Sequence, residues 1–379
     1  MVVLVTTTES SGIDRYSQEL AKRLSVPTIE TRRYRSLKDT LQLAGKLSRC
    51  PYPLHLPSQH FGRYGLFLLK PFIVTVHDLT RMCFPFAAEG IVEKAALKLD
   101  ALGLKRATHI IAVSTTTKTD LVRYLHIPEA KVSVIYNGVD RRVFKPTAGK
   151  RFDFPYLLYV GSERPRKNLG TLLRAFAILK AETGAMRRLK LVKVGSAGRT
   201  DKFRQATLSK MQQLGLENEV VFSDTLSDED LATYYSSAVA LVMPSFYEGF
   251  GLPLVEAMAC GCPAIAANTS SLPEIAGDAA LFFSPDDSAE LARLIHRLAA
   301  QPALRRHLIE KGFARVKRFS WERAAVETQR VYDTVLSKLS PAGTGKTVPG
   351  QPSTGQPFPS RAAYPRQKPD VTNRQGSSR

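Results

Sequence analysis

VALVMPSFYEGFGLPLVEAMACGCPAIAA, residues 239–267, holds a strand, a loop, a helix and a second strand in one run. The apolar stretch 239–243 reads as a buried strand, and "PSFYEGFG" leaves its carboxyl end. Pro253 suits the first helical turn, where its missing N–H would be unpaired anyway. Leu254, Ala257 and Met258 recur at helical spacing, Gly261 closes the helix and a further apolar run follows over 263–267. Strand, helix, strand in that order belongs to a parallel sheet covered by helices on both faces.

The same alternation extends outward in both directions. Short apolar runs predict strands over 2–6, 72–76, 109–113, 132–136, 156–161, 190–194 and 219–222. Helices are expected at 14–24, 90–106, 115–125, 168–182, 201–214, 228–236, 253–260, 288–300 and 302–315. "FKPTAGKRFDFP" (144–155) has proline, glycine and charge but no periodicity, and reads as a linker. It separates a parallel α/β domain over 1–147 from a second over 152–319. Residues 340–379, with seven prolines and five glycines, are expected to be a disordered basic tail.

The formal charge of +20 calls for an anionic partner. Cys50, Cys83, Cys260 and Cys262 show neither a disulfide framework nor zinc-ligand spacing, which suits a reducing compartment. The longest apolar stretch (66–76) is interrupted by Lys70 and Pro71 and falls short of the roughly 20 residues of a membrane span. A nucleic-acid partner is not expected, because no helix-turn-helix, zinc or aromatic-basic signature accompanies the charge.

Three stretches carry chemistry. In the opening segment Glu256 is expected to point away from Leu254, toward the loop that holds Glu248. Two carboxylates would then converge on one mouth of the sheet, beside the amides of Phe250 and Gly251, and could accept hydrogen bonds from sugar or ribose hydroxyls. "YVGSERPRKNLGTLL" (159–173) crowds Arg164, Arg166 and Lys167 before a helix for which Asn168 is the expected N-cap. Cations at the positive end of a helix break the dipole rule, and a bound phosphate would repair it. "FIVTVHDLT" (72–80) places His77 and Asp78 at a strand end, with Asp78 expected to orient His77 or the local turn.

"EGFGLPLVEAMACGCP", with Glu248 and Glu256 eight positions apart, resembles the E-x(7)-E signature of retaining glycosyltransferases of the GT-B fold, the group 1 or family 4 type. "PRKN" (165–168), "VHDL" (76–79), "IIAVSTTTKTDL" (110–121) and "VIYNGVD" (134–140) are similar to segments of the same family. The resemblance implies an α/β GT-B fold, two Rossmann-like domains with parallel sheets facing an interdomain cleft. It implies that Glu248 contacts donor-sugar hydroxyls, that Glu256 holds the ribose and that the Phe250 and Gly251 amides help seat the donor. Arg166 and Lys167 would hold the donor diphosphate, with Arg164 able to replace either, and His77 would approach the sugar. Gly12 would lie in the loop after the first strand, Gly195 near the base, and Asn137 with Gly138 would form a structural turn. The last helix, 320–338, would cross back onto the amino-terminal domain.

The implied activity is metal-independent, cofactor-free retaining transfer of a hexose from a nucleotide sugar, GDP-mannose or UDP-glucose. A glycan or lipid-linked acceptor would receive it in cell-envelope polysaccharide or glycolipid synthesis, in the cytoplasm or on the inner face of the plasma membrane. A relative that binds donors without turnover is the alternative, and a basic nucleic-acid-binding protein a more distant one. "YRSLKDTLQLAGKLSR" (34–49) sets Leu37, Leu41, Ala44 and Leu47 at helical spacing among cations. It reads as an anchor for an anionic membrane surface or as a surface helix with its stripe in the core.

Overall fold

The protein is described by a computed structural model over residues 1–7, 12–31, 37–83, 90–182, 185–198 and 200–339. The expected tail over 340–379 lies outside the described residues.

The first half carries β1 (Val3–Thr7), β2 (Thr28–Thr31), β3 (Leu54–Leu56), β4 (Phe72–Val76), β5 (His109–Ala112) and β6 (Val132–Val134). Its helices are α1 (Gly12–Ala21), α2 (Leu37–Arg49), α3 (Thr80–Cys83), α4 (Ile91–Arg106) and α5 (Thr115–Leu125), with 3₁₀ turns over Gln59–Phe67. The second half has β7 (Tyr156–Val160), β8 (Lys190–Val194), β9 (Val220–Ser223), β10 (Ala240–Met243), β11 (Ala264–Ala267) and β12 (Ala280–Phe283). Between and after them come α6 (Leu169–Ala181), α7 (Lys202–Gln213), α8 (Asp228–Ser237), α9 (Leu252–Ala259), α10 (Leu272–Ala276), α11 (Ser288–Ala300) and α12 (Pro302–Val316). Helix α13 (Trp321–Ser337) ends the described chain.

Two parallel sheets result, ordered β2-β1-β3-β4-β5-β6 and β12-β11-β10-β7-β8-β9. Every residue of β1, β4, β5, β10 and β11 is buried, as strands covered on both faces require. The expected strands and helices are present with ends moved by a few residues, whereas β2, β3, β12, α3, α10 and the 59–67 turns were not expected from the sequence. Residues 144–155 form neither helix nor strand.

Helix α13 returns to the first sheet. Trp321, Ala325, Tyr332 and Val335 pack with Val2, Leu4, Tyr16 and Ile73 in one core cluster. Gly138 permits that crossing, since a Cβ there would lie 2.2 Å from the Trp321 amide nitrogen. Helix α2 is oriented by Leu43, Ala44 and Leu47, which enter the core of the first sheet, while Leu41 faces outward. The Ala44–Leu47 side of the expected lipid-facing stripe is therefore used for packing.

In the second sheet the chain builds outward from β7 through β8 to β9, then returns to add β10, β11 and β12 on the other side. The order thus reverses between β7 and β10, and ligands of such sheets bind outside the carboxyl ends of the strands at that point. The loops leaving these two strands are 161–168 and 244–251.

Candidate functional site

The two loops are joined at their bases. Phe246 N–H donates to the Arg166 carbonyl at 2.8 Å, and the Arg166 guanidinium donates to the Tyr247 carbonyl at 3.0 Å. Ser271 Oγ donates to the carbonyls of Glu248 (2.9 Å) and Phe250 (3.0 Å), and the Glu248 amide donates to Ser270 Oγ at 2.9 Å. Gly251 makes the turn into α9 at φ +97°, a conformation that suits glycine.

This scaffold presents a buried Glu248. Lys167 Nζ donates to its Oε1 at 2.5 Å, Ser245 Oγ to the same atom at 2.6 Å, and Arg166 Nη1 to Oε2 at 3.3 Å. Burial alone would raise the carboxyl, but the Lys167 and Arg166 charges and the hydrogen bonds outweigh it and hold the group at about 2. Burial lowers the Lys167 ammonium, with the Arg166 charge adding to it and Glu248 opposing. The sequence reading gave hydroxyl-binding acids and phosphate-binding cations separate tasks; in the fold Glu248 and the cations form one ion triad.

A cavity of about 440 Å³ opens over the triad, lined in part by His77, Asp78, Arg81, Asn137, Arg164 and the loop 248–253. Its lining carries four cations, Arg81, Arg164, Arg166 and Lys167, against the carboxylates of Asp78 and Glu248. That excess suits an anionic ligand. Phe250 is buried beside Tyr136 and Phe319, so its ring belongs to the core while its backbone borders the cavity. Among the described residues, Asn137 Oδ1 is buried without a hydrogen-bond partner. The sequence reading had treated Asn137 as a turn residue only.

His77 is held from several sides. Its Nε2–H donates to the Pro57 carbonyl at 2.9 Å, and its amide donates to Gln59 Oε1 at 3.1 Å. The Tyr16 ring stands edge-on to it at 4.9 Å. Beneath, Thr75 Oγ1 pairs with Tyr16 Oη and His55 Nε2, both at 2.8 Å, and His55 Nδ1 reaches Tyr332 Oη of α13 at 2.7 Å. Burial, with a smaller contribution from His77, lowers His55 to about 3, so His55 is neutral. Asp78 accepts the Thr80 amide at 3.0 Å and so shapes the entry to α3.

Four sequence expectations need correction or placement. Asn168 is not a side-chain N-cap: at φ +55° it donates from Nδ2 to the carbonyls of Pro244 (2.9 Å) and Pro285 (2.8 Å), which ties the 161–168 loop to its neighbours. Glu256 does not join Glu248. It lines an adjacent cavity of about 320 Å³, where Tyr235 Oη donates to it at 2.9 Å and Arg15 Nη1 at 3.2 Å. Leu252 borders both cavities. Gly195 lines neither; at φ +108° it packs on Gly161, whose carbonyl oxygen would be 3.1 Å from an added Cβ. Gly12 opens α1, beside residues 8–11 that lie outside the described ones.

Sequence reasoning missed Arg15, which bridges the halves by pairing with Glu256 and, at 2.5 Å, with Asp228. It also missed other contacts across the cleft. Glu274 accepts the α5 amides of Thr115 (2.7 Å) and Thr116 (3.2 Å) and the Tyr136 hydroxyl (2.9 Å), a carboxylate at a helix N-terminus. Tyr247 Oη donates to Asp120, and Thr117 Oγ1 to the Gly249 carbonyl. Such partners are far apart in the chain, and no local pattern announces them. Among the described residues no group of three or more His, Cys, Asp or Glu side chains could hold a metal ion, and no helix is long and apolar enough to cross a membrane.

Comparison with known proteins agrees with this architecture. Residues 140–315 match the family of glycosyl transferases group 1, and residues 2–143 match glycosyltransferase family 4. The O-antigen chain mannosyltransferase B of Escherichia coli is 38% identical over 178 residues, covering 47% of this chain and 45% of that protein. The MMP alpha-(1→4)-mannosyltransferase of Mycolicibacterium hassiacum is 32% identical over 240 residues, 62% of this chain and 56% of the relative. The chain thus spans about half the length of these curated relatives. Among solved structures, a sucrose-phosphate synthase from Thermosynechococcus elongatus superposes with a TM-score of 0.75 at 24% identity, covering 89% of this chain and 99% of the other. Anabaena HepE, in complex with UDP and glucose, superposes with a TM-score of 0.72 at 18% identity over 88% of this chain and 99% of its own. These two likenesses concern the GT-B fold alone. With the two family matches meeting at the junction between the sheets, the chain joins a glycosyltransferase family 4 half to a group 1 glycosyl transferase half.

Proposed function

We propose that the protein is a retaining hexosyltransferase that needs no metal. It moves a hexose from a nucleotide sugar to a hydroxyl of a glycan or lipid-linked acceptor in cell-envelope polysaccharide or glycolipid synthesis. GDP-mannose is the leading donor, because both relatives named above are mannosyltransferases; UDP-glucose is the other. The observation that carries the reading is the Glu248–Arg166–Lys167 triad at the point where the strand order reverses.

Each residue then has a task. Arg166 and Lys167 neutralise the charge that grows on the departing diphosphate, an effect strengthened where water is excluded. At 4 Å a charge pair is worth about 1 kcal/mol in water and about 4 at an effective dielectric of 20. Glu248, ionised throughout, accepts hydrogen bonds from sugar hydroxyls, and Glu256 does so from the ribose. The bond from the anomeric carbon to the phosphate oxygen breaks while the acceptor oxygen bonds on the same face. The acceptor proton passes to the departing phosphate, giving the glycoside and the nucleoside diphosphate.

A panel of nucleotide sugars tested by thermal shift, followed by transfer to a simple glycoside, examines the reading. At 100 times its dissociation constant the true donor stabilises the protein by about 2.7 kcal/mol. The Arg166→Ala, Lys167→Ala double variant should lose that shift. The product should keep the donor's anomeric configuration, and chelator should leave the rate unchanged. A panel in which no nucleotide sugar shifts the wild-type melt would reject the proposal.

A further inference from the structure

Among the described residues of the first half, most of the exposed aliphatic side chains lie on α4 and the turn beside it. Ile91 and Val92 are 88% and 82% exposed, and Leu99, Leu102, Phe67 and Leu69 are exposed as well. At 100° per residue, Ile91, Ala95, Leu99 and Leu102 form one stripe along α4, with Val92 at its edge. Lys94, Lys98 and Lys105 form a row alongside it, all exposed. None of the three has an acidic partner among the described residues, so the face is apolar and uniformly cationic at its margin.

The opposite side of α4 is firmly docked. Asp100 is fully buried and accepts Arg63 Nε at 2.8 Å and Nη2 at 2.6 Å. On the stripe itself, at its carboxyl end, Arg106 Nη1 donates to the Leu66 carbonyl at 2.9 Å and Nη2 to that of Leu68 at 3.3 Å, which fixes the segment carrying Phe67 and Leu69 beside the helix. At its amino end Glu93 pairs with Arg81 at 3.5 Å, and Arg81 lines the Glu248 cavity. The exposed face is therefore rigid and continuous with the rim of the site.

We propose that this face of α4, with Phe67 and Leu69, seats the protein on an anionic lipid bilayer. The aliphatic stripe enters the interface and the lysine row meets the headgroup charge. A protein partner would be expected to supply acids for three lysines and a complementary apolar surface together, whereas an anionic bilayer offers both everywhere. The lipid then delivers a lipid-linked acceptor past Arg81 to the cavity, a clause that rests on the function proposed above. It relocates the membrane contact from the 34–49 segment, whose Ala44 and Leu47 are in the core.

The test is co-sedimentation of the full chain with phosphatidylcholine vesicles, with and without phosphatidylglycerol, across a salt series. Wild type should partition at least tenfold more strongly onto the anionic vesicles. Lys94→Gln, Lys98→Gln, Lys105→Gln should lose about fivefold per charge, and Leu99→Ser, Leu102→Ser at least tenfold. Leu41→Ser on α2 should bind as wild type. All variants should keep the wild-type melting temperature and the nucleotide-sugar shift, so loss of that shift in wild type would count against the proposed function and not against the membrane face. Equal binding to both vesicle types, wild-type binding by either α4 variant, or self-association through α4 without lipid would overturn the proposal.

Discussion

Glu248 stands between two cations that a donor diphosphate would also claim, so its removal should separate binding from turnover. In Glu248→Ala the cations lose their internal partner and turn fully to the ligand. Calorimetry should find GDP bound at least as tightly as by wild type, while transfer falls at least a hundredfold. Leaving buried cations unpaired costs on the order of 3–5 kcal/mol, so the variant should also melt earlier. Because its pKa is depressed to about 2, the stabilisation from ionised Glu248 is complete above the ordinary value of 4.5 and fades only as pH falls toward 2. Glu256 behaves oppositely: burial raises its carboxyl, while Arg15 and Tyr235 oppose the rise. Donor affinity that depends on ionised Glu256 therefore weakens as pH falls through that raised value. Replacing Arg15 by Met should move the midpoint to higher pH, and the same midpoint in both proteins would remove Arg15 from the site.

At the scale of elements, legibility followed burial. Strands β4, β5, β10 and β11 are apolar along their length because both faces are covered, and each was visible as a run. Strand β2 was not: of Thr28, Ile29, Glu30 and Thr31 only the last is buried, and an edge strand of that composition reads as a loop. Strand β3 is three residues long and gives no period to detect. The helices α2 and α4 show the limit of pattern reading. Both are cationic with aliphatic residues, yet α2 turns its Leu43–Leu47 side inward while α4 leaves Ile91, Leu99 and Leu102 outside. The decision for α4 is made by Asp100, whose ion pair with Arg63 draws the other face inward. A buried acid within a helical run gives no sequence cue of its own. The loop residues Glu248, Arg166 and Lys167 were legible because glycines and a misplaced cluster of cations broke local rules, whereas Arg15 broke none.

At the scale of the molecule, most core residues cluster by sheet, yet Val113 and Val139 of the first half join the core of the second, and the Glu248 cavity is lined from both halves at a fixed separation. Gly249 sets that separation. A Cβ there would stand 1.7 Å from the His77 carbonyl oxygen and 2.9 Å from Asp78 Cβ, so the backbones of the two halves touch without a side chain between them. The Gly249 carbonyl is also the acceptor for Thr117 of α5 at 3.3 Å. In Gly249→Ala the methyl group must push the 244–251 loop and the end of β4 apart by more than an ångström. A misplacement of about 1 Å between reacting groups can cost a hundredfold in rate. The cores border this contact, since Val76 beside His77 belongs to the first and Phe250 beside Gly249 packs with Val113 and Val139 in the second, so the displacement also loosens the packing between the halves. Gly249→Ala should accordingly lose about a hundredfold in kcat, unfold at a lower urea concentration than wild type and show a larger radius of gyration in solution scattering. Wild-type turnover in this variant would mean that transfer does not require His77 and Glu248 to be held across the cleft as the fold holds them.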